Sequence, residues 1–267
     1  MTVLHSHFAG QFYTQNSSQL TRQIQDFLSV PELTTPFPKA IIVPHAGYIY
    51  SGQTAAYAYK QLSGNTYSTA VLMGPSHQVP LRTLSIPQET AFLTPLGQIP
   101  FNTLLIDQLV DSGLFVLNSV PHLREHSLEV QYPFLQIVQP GISIVPISVG
   151  HIGLESFQKA GQILFNQLSD DTILIISTDL SHYHPLSHAK SIDQQTIQSI
   201  LSMDASHMAH LYDQGQIECC GILPLILGME TLSHFDTVHP ELLNYDTSAT
   251  TSFDNRAVVG YTAISVF

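Results

Sequence analysis

Histidines follow directly after three short apolar runs in this chain. His45 follows the run AIIV within PHAG, His77 follows AVLM within GPSH, and His182 follows TILIIS within TDLSH. Imidazole binds zinc, iron and copper ions, and it acts as a general base near neutral pH. Because the carboxyl ends of parallel strands share one edge of an α/β sheet, these histidines are expected to converge there. Their positions predict a metal site or a proton-transfer site.

A fourth histidine, His151, follows the apolar run SIVPIS in the same way. One histidine in such a position is more often a hydrogen-bonded loop residue than a ligand. Three of them at one edge weaken that interpretation, but His151 fits the pattern least well. We leave it out of the predicted site.

The two cysteines, Cys219 and Cys220, are adjacent. Neighbouring cysteines form only a strained disulfide, so a secreted disulfide scaffold is excluded. Gly221 and the apolar segment ILPLILGM follow, which predicts a helix whose dipole partly ionises the Cys220 thiol. We expect Cys220 to be a metal ligand or a nucleophile and Cys219 to be core. A plain buried thiol is the equal alternative for Cys220.

Acidic residues near the histidines are candidates for a supporting role. Asp179 precedes His182 and either orients it as a general base or caps a turn. The segment REHSLE contains His126 and Glu129, which we expect directly behind the metal ligands, with Glu129 holding a ligand histidine in one tautomer. The alternative is a solvated helix start with acidic residues near the positive end of the dipole.

The elements that position these residues alternate between strands and helices. Strands are predicted at 40–43, 70–73, 84–87, 143–148, 172–177, 238–244 and 256–266. Helices are predicted at 16–28, 52–62, 101–112, 128–138, 154–168, 187–201, 205–212 and 221–232. The alternation predicts a single domain over residues 1–267. Its class is α/β, a three-layer α/β/α sandwich with a mostly parallel, mixed central sheet.

The composition limits the classes of partner. Of 267 residues, 44% are hydrophobic, and 8 basic against 20 acidic residues give a formal charge of −12. This charge argues against nucleic acid and anionic membranes as partners. No apolar run is long enough to span a bilayer, and the first residues lack a signal-peptide pattern, which predicts a cytoplasmic protein.

The motifs together resemble the Memo family, called AmmeMemoRadiSam system protein B in prokaryotes. The matching segments, which span nearly the whole chain, are FAGQFY, VPHAGYIYSG, GPSH, REHSLEVQYPFLQ, STDLSHY, ECCG and VVGYTAI. The resemblance implies a fold similar to class III extradiol ring-cleavage dioxygenases, whose non-haem iron is held by two histidines and a glutamate. In Memo-like proteins a cysteine takes the glutamate position. Carried onto this sequence, the ligands are His45, His77 and Cys220, with His182 as the acid/base residue beside Asp179.

The resemblance implies a metal-dependent redox enzyme, dioxygenase-like, that uses Fe(II) first and copper or zinc as alternatives. A thiolate ligand shifts metal preference toward softer ions. Two other functions stay open, a peptide- or partner-binding module that uses the same pocket and a metal-dependent hydrolase. The family name also implies a pathway shared with a radical-SAM protein and an AMMECR1-like protein.

Overall fold

Strands and helices alternate along the chain, of which the computed structural model describes residues 2–31 and 37–267. The strands of these ranges are β1 (Val3–His5), β2 (Ala40–Val43), β3 (Thr69–Pro75), β4 (Leu84–Ile86), β5 (Ala91–Thr94), β6 (Gly97–Pro100), β7 (Phe115–Leu117), β8 (Ser143–Val149), β9 (Thr172–Ser177), β10 (His182–His184), β11 (Pro240–Thr247) and β12 (Val258–Val266). The α-helices are α1 (Ser17–Phe27), α2 (Tyr48–Lys60), α3 (Thr103–Asp111), α4 (His126–Glu129), α5 (Tyr132–Val138), α6 (Leu154–Gln167), α7 (Leu186–Leu201), α8 (Ala205–Asp213), α9 (Ile222–Leu232) and α10 (Ala249–Ser252).

A large mixed sheet forms the centre of the fold. Its strand order is β10-β12-β2-β9-β3-β8-β4-β7, and β11 also pairs with β12. Strands β2, β9, β3 and β8 are parallel, whereas β12 and β4 run antiparallel to their neighbours β2 and β8. The prediction of an α/β fold with a mixed central sheet is confirmed.

The parallel strands at the centre of the sheet are buried on both faces. Helix α2 packs on β2 and β12, and α9 packs on β3 and β9. Ile41, Leu72 and Ile175 are consequently fully buried in three neighbouring strands. Burial on both faces explains why these strands are continuous apolar runs with no polar alternation. It stabilises the fold by roughly 1.5–3 kcal/mol for each large side chain.

The region that was predicted as one helix over 128–138 contains two shorter helices. Helix α4 ends at Glu129, and α5 begins at Tyr132 with Pro133 in its first turn. Proline is tolerated there because the amide hydrogens of a first turn have no partner inside the helix. The break allows α4 to approach the carboxyl edge of the sheet, since α4 contacts β3.

Several short strands escaped prediction. Strands β1, β5 and β6 form a separate three-stranded sheet, and each has only three or four residues. Runs this short show too little alternation to be separated from loops. Within the described ranges, no helix combines the length and the apolar character needed to cross a bilayer.

Candidate metal centre

The carboxyl ends of β2, β9 and β3 lie side by side and bring the predicted residues together. Val43 pairs with Ser177, and Met73 pairs with Ile176. His45 and His77 each lie two residues beyond such a strand end, and their ring centroids are 5.2 Å apart.

A chain of hydrogen bonds fixes the tautomer of His45. The Ser177 hydroxyl donates to the carbonyl of Ser127 at 2.7 Å, so its single proton is used. It accepts from Gln131 Nε2 at 3.1 Å and lies 2.8 Å from His45 Nδ1. His45 Nδ1 must therefore carry the hydrogen and donate to Ser177, which leaves the Nε2 lone pair free to bind a cation.

Glu125 fixes His77 in the same tautomer. Its carboxylate accepts from the His77 backbone at 2.6 Å, from His77 Nδ1 at 2.8 Å and from the Ser127 backbone at 2.9 Å. Burial raises the pKa of Glu125, but the hydrogen bonds from His77 and Ser127 outweigh it and hold the pKa at about 2. The ionised carboxylate makes Nδ1 of His77 a donor and leaves Nε2 free for a metal.

His126 is a third imidazole of this cluster. Its ring stacks on His77 with centroids 4.7 Å apart and lies 5.3 Å from His45. Each of the three histidines offers a nitrogen within 4.8 Å of the others. The sequence placed His126 behind the ligands, whereas the structure places it beside them. His126 is the first residue of α4, and α4 contacts β3 at the carboxyl edge of the sheet.

Burial keeps two of the imidazoles neutral. Desolvation is the largest cause that lowers the pKa of His45 to about 3 and that of His126 to about 4, and the neighbouring histidines lower both further. Neutral imidazole is the form that binds metals, so both rings are ready to do so at neutral pH.

Cys220 completes the cluster, and its Sγ lies 3.0 Å from His45 Nε2. Desolvation, followed by the charge of Asp179, raises the thiol pKa well above its usual value. The expectation of a partly ionised thiol is therefore wrong, because burial and the neighbouring carboxylate both disfavour the thiolate. A bound cation would favour the thiolate. Cys219 is buried in the hydrophobic core.

Asp179 supports His45 and not His182 directly. Its carboxylate accepts from the His45 backbone at 2.7 Å, and its backbone amide donates to Cys220 Sγ at 3.2 Å. Burial raises the pKa of Asp179, and His182 is close enough to oppose that rise. Glu218 accepts from the His182 backbone at 2.9 Å. No hydrogen bond joins the Asp179 carboxylate to the His182 ring among the described residues.

Glu129 holds the N-terminal segment and, among the described residues, accepts no hydrogen bond from the rings of His45, His77 or His126. Its buried carboxylate accepts from the backbones of His7 at 2.9 Å and Phe8 at 2.8 Å, and from the Tyr13 hydroxyl at 2.7 Å. The role predicted for Glu129 belongs to Glu125, four residues earlier. The two glutamates are one helical turn apart, and the sequence alone does not decide between them.

A cleft of about 670 Å³ opens beside the cluster, and we call it the metal cleft. It is lined by Pro75, Ser76, His77, Pro80, Leu81, Arg82, Val149, Gly150, His151, Tyr212, Cys220, Ile222 and Leu223. His151 thus lies at the same edge as the other histidines, as its position after β8 indicated.

The donor set fits a transition metal ion. Ligand atoms on one tetrahedral ion lie about 3.3–3.6 Å apart. The nitrogens of His45, His77 and His126 lie within 4.8 Å of one another, and Cys220 Sγ lies 3.0 Å from Nε2 of His45. Imidazole and thiolate are ligands that suit zinc, copper and iron better than magnesium or calcium.

Gly221 allows the Cys220 turn to approach the sheet. A Cβ at this position would lie 2.4 Å from Thr178 Cβ and 2.6 Å from the Ser177 carbonyl oxygen. We expect Gly221→Ala to destabilise the protein by about 1–3 kcal/mol, measured by urea unfolding. The matched control is Gly47→Ala, whose nearest neighbour would lie at an ordinary 3.5 Å. Equal stability of the two variants contradicts the close approach.

Comparison with known proteins gives a consistent result over the whole chain. A family model described as Memo-like protein matches residues 5–265. A MEMO1 family protein of Aquifex aeolicus is 31% identical, covering 98% of both chains, and one of Methanosarcina mazei is 34% identical, covering 97% of both. A solved structure of an uncharacterized Escherichia coli K12 protein has a similar fold, with a TM-score of 0.56 at 10% identity over 85% of this chain and 98% of that one. The chain therefore belongs to the Memo-like protein family.

Proposed function

We propose that this protein is a metal-dependent redox enzyme whose ligands are His45, His77 and Cys220. The observation that carries the proposal is the convergence of imidazole nitrogens within 4.8 Å, with the Cys220 sulfur 3.0 Å from one of them. We propose Fe(II) as the metal, with copper or zinc as alternatives. The fold relationship to extradiol dioxygenases is part of this proposal and rests on the motif resemblance.

The side chains around the metal have separate roles in this proposal. A bound metal supplies Lewis acidity and, for iron or copper, one-electron chemistry. Ser177 and Glu125 direct Nε2 of His45 and His77 toward it, and Asp179 holds the His45 backbone in place. His182 accepts a proton from the substrate at a ring nitrogen. The pathway shared with radical-SAM and AMMECR1-like proteins is also proposed, from the motif resemblance alone.

A hydrolase is the second candidate, because the third imidazole, His126, favours it. Three histidines are a zinc donor set found in catalytic sites that activate water.

Anaerobic purification followed by elemental analysis and oxygen-uptake measurements tests the proposal. Stoichiometric iron or copper, with uptake that depends on an added substrate, is the expected result. Tightly bound zinc without uptake supports the hydrolase. Absence of any bound metal, after incubation with each ion, contradicts both and supports the binding module.

A further inference from the structure

A second cavity of about 250 Å³ continues from the metal cleft between helices α6, α8 and α9, and we call it the apolar arm. The two cavities share His151, Tyr212, Ile222 and Leu223. The rest of the arm is lined by Gly153, Leu154, Phe157, Ala209, Asp213 and Ile226. An occupant of the cleft therefore has a mainly apolar space of ring size directly beside the metal ligands.

One basic side chain, Arg82, lies in the wall of the metal cleft. Among the described residues, its guanidinium forms no ion pair or hydrogen bond, so its charge is not neutralised by the protein. The chain carries a formal charge of −12 and only 8 basic residues. Arg82 is exposed and lines the metal cleft, so its unpaired charge provides a local site for an anion on this acidic protein.

The backbone on both sides of Arg82 is held in place. The Leu81 carbonyl accepts from the His151 backbone at 2.9 Å, and the Thr83 carbonyl accepts from the Gly150 backbone at 2.9 Å. A Cβ on Gly150 would lie 2.5 Å from the backbone of Leu81, so glycine is required for this approach. The guanidinium therefore extends from a fixed point in the cleft wall, which reduces the entropic cost of binding an anion.

We infer that the substrate is a small organic anion with an apolar body. Its carboxylate or similar group pairs with Arg82, and its ring or alkyl part occupies the apolar arm against Leu223. The inference deepens the proposed function and rests on it only for the statement that this ligand is a substrate. The binding groups named here lie on the protein and do not require the metal.

The test is a ligand-observed NMR titration of the metal-free protein with three probes. They are 3-phenylpropionate, its neutral amide 3-phenylpropanamide, and acetate, which has no apolar body. We expect 3-phenylpropionate to bind about fivefold to tenfold more tightly than the amide, as for a charge-assisted hydrogen bond at an accessible site. Acetate should show the weakest binding of the three.

Two pairs of variants assign the binding groups. Arg82→Gln should lower the affinity for 3-phenylpropionate to that for the neutral amide. Arg22→Gln, on α1, should leave both affinities unchanged. Leu223→Gln should weaken both aromatic probes about threefold to tenfold, whereas Leu104→Gln on α3 should not. Leu104→Gln controls for the same change of side chain on a helix away from the arm, since Leu104 is 70% exposed whereas Leu223 is partly buried against the core. The melting temperature of each variant separates lost binding from lost stability.

Three results overturn the inference: no saturable binding of 3-phenylpropionate, equal binding of the acid and the amide, or equal effects of the two arginine variants. Repeating the titration with the metal added separates this inference from the proposed function. If 3-phenylpropionate binds only when the metal is present, and Arg82→Gln does not change its affinity, the carboxylate coordinates the ion. This result contradicts the inference alone. Metal-free binding through Arg82 in a protein that takes up no metal refutes the proposed function alone.

Discussion

Replacing Cys220 with serine is expected to weaken binding of Fe(II) or Cu(I) by roughly 100-fold or more. The thiol sulfur lies 3.0 Å from Nε2 of His45, and a bound metal ion would favour the thiolate of this partly buried residue, whose pKa is raised by desolvation and by Asp179. A hydroxyl keeps its proton far more readily and is a harder, poorer ligand for these ions. Anaerobic competition titration against a chromophoric chelator measures the affinity.

Cys219→Ser is the matched control for this experiment. Cys219 is buried in the core, so its replacement should lower the melting temperature and leave metal affinity within about twofold. Equal affinities for the two variants, or a larger loss in Cys219→Ser, mean that Cys220 is not a ligand.

Replacing Glu125 with glutamine is expected to weaken metal binding about 10- to 100-fold, although Glu125 is not itself a ligand. The carboxylate accepts three hydrogen bonds, two of them from His77. A glutamine side chain has one acceptor oxygen, so its amide group faces an N–H and His77 loses its fixed tautomer. The same chelator competition measures this loss.

Glu129→Gln separates this effect from general destabilisation. Glu129 is equally buried and also accepts three hydrogen bonds, but its donors belong to the N-terminal segment. We expect Glu129→Gln to lower the melting temperature and to leave metal affinity within about twofold. A loss of affinity as large as that of Glu125→Gln would assign the decrease to unfolding.

Strand ends were the informative part of the sequence. The buried runs that precede His45, His77 and Asp179 are long enough and apolar enough to be recognised as central strands. Parallel strand ends meet at one edge, so the approximate position of the site follows from sequence. The contacts of His45 with Cys220 and His77 agree with that position, although 175 residues separate His45 from Cys220.

The residues that support the ligands were harder to predict, because hydrogen bonds between distant segments leave no periodic pattern. Ser177 and Gln131 are ordinary polar residues in the sequence, yet they determine which nitrogen of His45 is free. The choice between Glu125 and Glu129 depended on a helix break that one proline suggested but did not locate. The raised pKa of Cys220 depended on a neighbour, Asp179, that lies 41 residues away.

The hydrogen bonds that Glu129 accepts from the N-terminal segment have a consequence for the order of folding. Phe8 and Phe12 from that segment contact the ring of His126, so the segment forms one wall of the imidazole cluster. The bond from His7 to Glu129 spans 122 residues of sequence. Contacts of such long range form late, because a long loop must close before they contribute. During synthesis on the ribosome, His7 and Phe8 must therefore wait until Glu129 has emerged, more than a hundred residues later, before they reach their final place. The imidazole cluster is consequently expected to be among the last parts of the molecule to assemble.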